Sequence, residues 1–333
     1  MKKLFLVSLL LACLGVMMAQ MQDKLKQEQA WGSFIGCTKA CSDYLGYYYS
    51  RDWICGISGY AFFLNIHPEL CPSGPTAFDS GFLKQNLESL GLDFDVINFS
   101  AGDGDLESWQ QKAFEQVKLA LQADHPVFAW ELDIPEYYLI AGTDENGYQF
   151  FDFDGTLKHC AWDKIATSEI GMAEFCILKK GKVLDTREQV KTLLEFLDGY
   201  QTDASSKIIS GYSMGSDAYD VWLKAMQEGE FNPWGLAYNT QVWSEARHSA
   251  VGFLRELRQA LGKDKKYKAL DQAIASYESV ANAMQQINLL YPFPPQKEGL
   301  SAEDGAKITE YLKQAQKAET EGLQALLELR NNL

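Results

Sequence analysis

One change of pattern, close to residue 183, constrains the fold of this 333-residue chain more than any single motif does. From Met21 to about Lys182, short apolar runs alternate with helices and turns. Asp93–Phe99 alternates polar and apolar residues, as a half-buried strand does. Leu106–Gln122 has helical spacing, and Pro126–Trp130 reads as the strand that follows. Tyr137–Ala141 and Tyr148–Asp152 flank Thr143-Asp144-Glu145-Asn146-Gly147, and the Asn146-Gly147 pair predicts a hairpin turn. Glu174–Lys180 reads as a closing strand. Residues 20–182 are therefore expected to form an α+β domain with an antiparallel sheet.

Beyond Leu184 the strand patterns stop. Arg187–Leu197, Asp217–Gln227, Tyr238–Leu261, Lys268–Leu290 and Ala302–Leu329 have the spacing of helices, so residues 183–333 read as an all-α helical bundle. Ser301-Ala302-Glu303-Asp304 resembles a capping box at the start of the last helix. Tyr291-Pro292-Phe293-Pro294-Pro295 breaks the chain between two long helices, which should pack antiparallel.

A composition of 47% apolar and 13% aromatic residues excludes a disordered chain. The net charge of −15 argues against nucleic acid or an anionic membrane surface as partner, because both need basic patches. The N-terminus reads as an export signal over residues 1–19. Lys2 and Lys3 form its basic start, Leu4–Val16 its apolar core, and Ala19 the small residue before a cut. In a second reading Leu10-Leu11-Ala12-Cys13 resembles a lipobox, and a lipid on Cys13 would be the one contact with a membrane. The apolar run is shorter than the ~20 residues of a transmembrane helix. The expected location is outside the cytoplasm, periplasmic or lipid-anchored. Cys37, Cys41, Cys55, Cys71, Cys160 and Cys176 remain after cleavage, and in an oxidising compartment an even number suggests disulfides, with the pairing left open.

Trp31–Phe78 carries the densest chemistry. Cys37 follows Gly36 at the expected entrance to a helix, where the positive end of the dipole favours a thiolate. A glycine-punctuated strand, Gly56–Ile66, then leads into the tight turn Cys71-Pro72-Ser73-Gly74-Pro75. The same cysteine has a plainer reading. With Phe34, Cys41 and Leu45 it forms one apolar helix face, on which a thiol is a small buried hydrophobe. Cys37, Cys41, His67 and Cys71 would make a four-ligand zinc set, but their spacing differs from that of structural sites, so no metal and no cofactor are expected. Gly211-Tyr212-Ser213-Met214-Gly215 matches the nucleophile elbow of α/β-hydrolases. That elbow needs a parallel sheet and a later acid and histidine, whereas everything downstream here reads as helix.

Gly36-Cys37, Asp43-Tyr44-Leu45-Gly46 and Gly56-Ile57-Ser58-Gly59-Tyr60-Ala61-Phe62 resemble a papain-like, cysteine-peptidase-like family. It includes the bacteriocin-processing peptidases and the N-terminal domain of butirosin biosynthesis protein H. Tyr137–Asp144 and Phe151–Gly155 resemble the strand pair that carries this family's His and Asp. The resemblance implies a thiol hydrolase or acyltransferase that attacks an amide or thioester. Cys37 would be its nucleophile and Asp152 or Asp154 its orienting acid. The expected histidine falls at Glu136, Tyr137 or Tyr138, and none is a histidine. Tyrosine, with a pKa of about 10, is a poor general base. His67 could take the role from the end of the strand after the Cys37 helix.

The ligand-binding residues expected are Tyr60, Glu136 and Tyr138 in the first half, with Tyr238, Asn239 and Arg247 in the second. The functional expectation is an exported protein that holds a peptide or small amide ligand in a cleft between the two domains, its catalysis weakened or lost with the histidine. An active thiol amidohydrolase or acyltransferase using Cys37, and a structural disulfide-stabilised exported protein, are the alternatives.

Overall fold

The structure, a computed structural model, describes residues 24–26, 28–202, 209–262, 264–296 and 299–333. The export signal and Cys13 lie outside these. In chain order the elements are α1 (Ser33–Tyr44), α2 (Arg51–Ser58), a 3₁₀ turn (Tyr60–Phe62), β1 (Asn65–Ile66), α3 (Gly81–Leu87) and β2 (Leu90–Phe99). There follow α4 (Leu106–Gln122), β3 (Val127–Trp130), β4 (Tyr137–Thr143), β5 (Gly147–Phe151), β6 (Leu157–Ala161) and β7 (Ala173–Val183). The chain ends with α5 (Thr186–Thr202), β8 (Ser213–Met214), α6 (Gly215–Glu228), α7 (Pro233–Leu261), α8 (Lys268–Leu290) and α9 (Ala302–Leu329). The fold is α+β, with a six-stranded antiparallel sheet and a helical C-terminal region. None of the described helices is long and apolar enough to cross a membrane.

The chain divides into two compact units, one of residues Met1–Tyr49 with Leu92–Gly181, the other of Ser50–Gly91 with Lys182–Leu333. In this division Ser50–Gly91 clusters with the helical region rather than with the sheet. The cause is the nature of that segment. Gly56–Ile66 was expected to be a strand; instead, residues 51–58 are helix α2, started by Ser50, whose side chain accepts a hydrogen bond from the Trp53 amide at 2.9 Å. Gly56 interrupts the aliphatic run because a Cβ there would enter the ring of Phe253. Only Asn65 and Ile66 remain extended, paired with Met214 and Ser213 of β8.

In the sheet unit the strand order is β2-β7-β3-β4-β5-β6. Val127, Phe128 and Ala129 are fully buried, as a central strand requires. Successive side chains of a strand face opposite sides, and each face has its own helix. α1 sets Phe34 edge-on against Phe128 and Tyr137, with centroids 5.4 and 5.3 Å away. On the other face α4 brings Phe114 to Tyr148, which in turn meets Phe175. The β4–β5 hairpin is present as expected, though its turn is built differently. Asp144 Oδ1 accepts from the amides of Asn146 and Gly147 at 2.8 and 3.1 Å, and Gly147 is already the first residue of β5. Its glycine is needed because a Cβ would strike the Cys160 carbonyl on β6.

In the helical unit the core is aromatic. Phe253 of α7 meets Trp53 and Phe62, Phe62 meets Tyr277 of α8, and Phe63 meets Phe78, Phe82, Tyr200 and Trp243. Ser301 caps α9 by accepting from the Asp304 amide at 3.0 Å. The fully buried Arg247 donates to both Glu319 oxygens, at 3.1 and 2.6 Å, and to the Phe63 carbonyl at 2.5 Å.

Candidate functional site

The ten residues expected to form a site fall into both units. Cys37, Glu136, Tyr138, Asp152 and Asp154 are in the sheet unit, and Tyr60, His67, Tyr238, Asn239 and Arg247 are in the helical unit.

α1 begins at Ser33, with Gly32 as its N-cap and no side-chain cap. Cys37 is therefore the fifth helical residue, a full turn past the position that the sequence reading gave it. The dipole's effect decays within the first turn, and Cys37 is 0% exposed, facing the interior beside Phe34, Cys41 and Leu45. Burial and the neighbouring Cys37 push the Cys41 thiol well above its ordinary pKa. Of the two sequence readings, the apolar face describes the environment of these thiols. None of the six described cysteines is in a disulfide.

The residue at the helix start is Ser33, and it meets the strand position at which the family resemblance expects a histidine. Ser33 Oγ donates to a Glu136 carboxylate oxygen and accepts from the Tyr137 amide at 3.1 Å. The Tyr137 hydroxyl donates to Glu174 Oε1 at 2.8 Å, and Cys176 Sγ donates to the same oxygen at 3.5 Å. Glu136, Ser33, Tyr137 and Glu174 thus form one polar thread across the start of α1. Tyr138 points elsewhere. It is fully buried, its hydroxyl accepts from the Ile134 amide at 3.3 Å, and burial pushes its pKa up, so it is no base at neutral pH.

Both aspartates serve the β5–β6 turn. Asp152 Oδ2 pairs with Lys158 at 2.8 Å, and Oδ1 accepts from the Phe153 amide. Asp154 is exposed and accepts from the Thr156 hydroxyl and amide at 2.6 and 2.8 Å, bonds that hold its carboxyl below the usual range. The exposed His159, unplaced from sequence, lies 3.3 Å from Asp144 Oδ1.

In the helical unit three of the expected residues meet around one turn, Cys71–Pro75. The Tyr60 hydroxyl donates to the Pro75 carbonyl at 3.4 Å. Asn239 Nδ2 donates to the Cys71 carbonyl at 2.9 Å and to Gly235 O at 2.8 Å. His67, just past β1, sets its ring edge-on against Tyr212, centroids 5.1 Å apart. Ser73 and Tyr212, absent from the expected set, join them with hydroxyl oxygens 2.5 Å apart. The signal for Tyr212 was in the sequence: the Gly211–Gly215 motif leads through β8 into α6, beside β1, the strand that ends at Ile66 just before His67. β8 is antiparallel to β1, however, so this is not a hydrolase elbow.

Arg247 and Tyr238 are not open to a ligand in the same way. Burial opposes the charge of Arg247, but Glu319 outweighs it and holds the guanidinium pKa above its ordinary value. Tyr238 is half-buried, its ring against Phe293. Compared with models of known protein families and with curated proteins, the chain matches none.

Proposed function

We propose that this chain is an exported, papain-like, cysteine-peptidase-like protein that binds a peptide or small amide through its sheet unit and does not hydrolyse it through Cys37. The observation that carries the reading is the position of Cys37, 0% exposed and a turn inside α1, while the helix start is occupied by Ser33, hydrogen-bonded to Glu136. A nucleophile must reach both its substrate and a base. Glu136 and Glu174 flanking the start of α1 are acceptors for the N–H groups that a peptide backbone offers.

The test has two parts. Iodoacetamide labelling of the native protein across pH, with mapping of modified peptides, should leave Cys37 unlabelled until the chain is unfolded. Incubation with a tryptic digest of casein should raise the thermal midpoint of the protein while the peptides stay intact by mass spectrometry. Native labelling of Cys37 with an apparent pKa well below the ordinary thiol value of about 8.5, or peptide cleavage abolished by Cys37→Ala, would overturn the reading. A casein digest that leaves the midpoint unchanged would remove the binding half.

A further inference from the structure

α3 and α5 leave a cavity of about 640 Å³ between them, within the ~300–1,000 Å³ range of small-molecule sites. All of its lining residues belong to the helical unit. One wall is aromatic. Phe82 of α3 and Phe196 of α5 stack at 4.5 Å with planes 6° apart, and Tyr200 stacks on Phe196 one turn further along α5. Gly59 makes room for that wall, because a Cβ there would strike the Phe196 ring.

Asn86, only 4% exposed, is the buried polar residue of the lining. Its Nδ2 donates to the Ser58 carbonyl at 3.0 Å. Its Oδ1 accepts no hydrogen bond among the described residues and is not sealed in by protein. The cavity is the space from which a donor would reach it. Two carboxylates stand at the rim, on different segments. Asp79 is fixed there by accepting from the Gly81 amide at 2.9 Å. Glu195, exposed on α5, makes no ion pair among the described residues. No described lysine, arginine or histidine lines the cavity; Lys84 of α3, outside the lining, donates to Ser80 Oγ at 3.2 Å.

These groups define what can fill the space. The acceptors call for N–H donors, the carboxylates for a positive charge, and the rings for an apolar surface. An ammonium offers three donors around a compact, strongly hydrated charge. A guanidinium offers five in one plane, is more weakly hydrated and lies readily against aromatic rings. It can serve Asp79, Asn86 and Glu195 together while an alkyl stem covers Phe82 and Phe196.

We propose that this cavity binds an alkylguanidinium. Its head lies between Asp79 and Glu195, one N–H meets Asn86 Oδ1, and its stem runs along Phe82 and Phe196. A free small molecule and the arginine side chain of a peptide present this same chemistry. The inference goes beyond the reading of the sheet unit and does not rest on it, because no lining residue lies in that unit.

The experiment is calorimetric titration of the full chain with n-butylguanidinium, n-butylammonium and the uncharged n-butylurea. Butylguanidinium should bind saturably, and butylurea, of nearly the same shape, about tenfold more weakly. Glu195→Gln should weaken butylguanidinium about threefold, and the charge reversal Glu195→Lys on the order of tenfold. Asn86→Ala, which removes the buried acceptor, should also cost on the order of tenfold. Glu195 is exposed, so its variants keep the test valid if Asn86→Ala fails to fold. No saturable binding of butylguanidinium, equal affinity for butylurea, or an affinity unmoved by Glu195→Lys overturns the proposal. Butylammonium bound as tightly overturns the assignment of the guanidinium head. Acetyl-Gly-Arg-Gly-amide separates the two sources. Tighter binding than butylguanidinium, lost in Glu195→Lys, supports an arginyl peptide, and weaker binding supports a free small molecule. A rise in thermal midpoint with casein peptides that persists in Glu195→Lys belongs to the sheet unit, so the two readings fail separately.

Discussion

Arg247 and Glu319 show how much a single buried charge depends on its partner. The guanidinium spans both carboxylate oxygens, and Tyr219 adds a third hydrogen bond to Glu319 at 2.5 Å. Removing one member leaves the other charged and dry. Arg247→Met should therefore destabilise the helical unit by about 3–5 kcal/mol, whereas Arg247→Met with Glu319→Leu should recover most of that loss. Urea denaturation of the three proteins checks the ordering, and a double variant no better than the single would refute it. Arg247 was expected from sequence to meet a ligand because it stands in a dense polar stretch of α7. Spacing alone cannot tell a polar side chain that faces solvent from one that faces a carboxylate 72 residues further along the chain.

The helices carry two kinds of glycine, and they should respond in opposite ways to the same substitution. Gly56 in α2 lies against the Phe253 ring, so Gly56→Ala should cost roughly 1–3 kcal/mol through overpacking. Gly199 in α5 has open space where its Cβ would be, so Gly199→Ala should stabilise by about 0.5–1 kcal/mol. Chemical denaturation of the pair decides, and a shared sign would contradict the packing described.

These elements also mark where the sequence was legible. The 3.6-residue period identified the stripe of Phe34, Cys37, Cys41 and Leu45, and α4, α8 and α9 lie where it put them. The Asp93–Phe99 and Pro126–Trp130 patterns correspond to strands β2 and β3. Helix starts were harder. Gly32 offers no capping side chain, so nothing in the sequence put the entrance to α1 four residues ahead of Cys37. The opposite happened at Ser50, where a usable N-cap was outweighed by glycines and bulky apolar residues that imitate a strand. At the Cys71 turn, His67, Tyr60 and Asn239 were singled out for chemistry. Their meeting was invisible, because it depends on a two-residue strand pair, β1 with β8, joining segments about 150 residues apart.

At the scale of the molecule, buried acids govern the response to alkali. Burial raises Cys55, Tyr219 and Tyr277 above their ordinary values. An acid whose folded pKa lies above its unfolded one stabilises the fold below the unfolded value and loses that contribution as pH rises through the folded one. Stability should therefore be level in these groups up to about pH 8.5, where unfolded thiols ionise, and fall further beyond about pH 10, where phenols do. Urea midpoints followed from neutral to alkaline pH test this, and a midpoint that rises with alkali would exclude it.

The division of the chain, with Ser50–Gly91 counted among the helices, has a consequence for inheritance as well as for folding. The polypeptide passes from one unit to the other at Tyr49, at Gly91 and again at Gly181, so neither unit is a single stretch of gene. A truncation or fusion at the visible change of texture near residue 183 would strip Trp53, Phe62 and Phe63 from the aromatic core they complete. Recombination can exchange modules only where one cut frees a whole one. In this chain no single cut frees either unit whole.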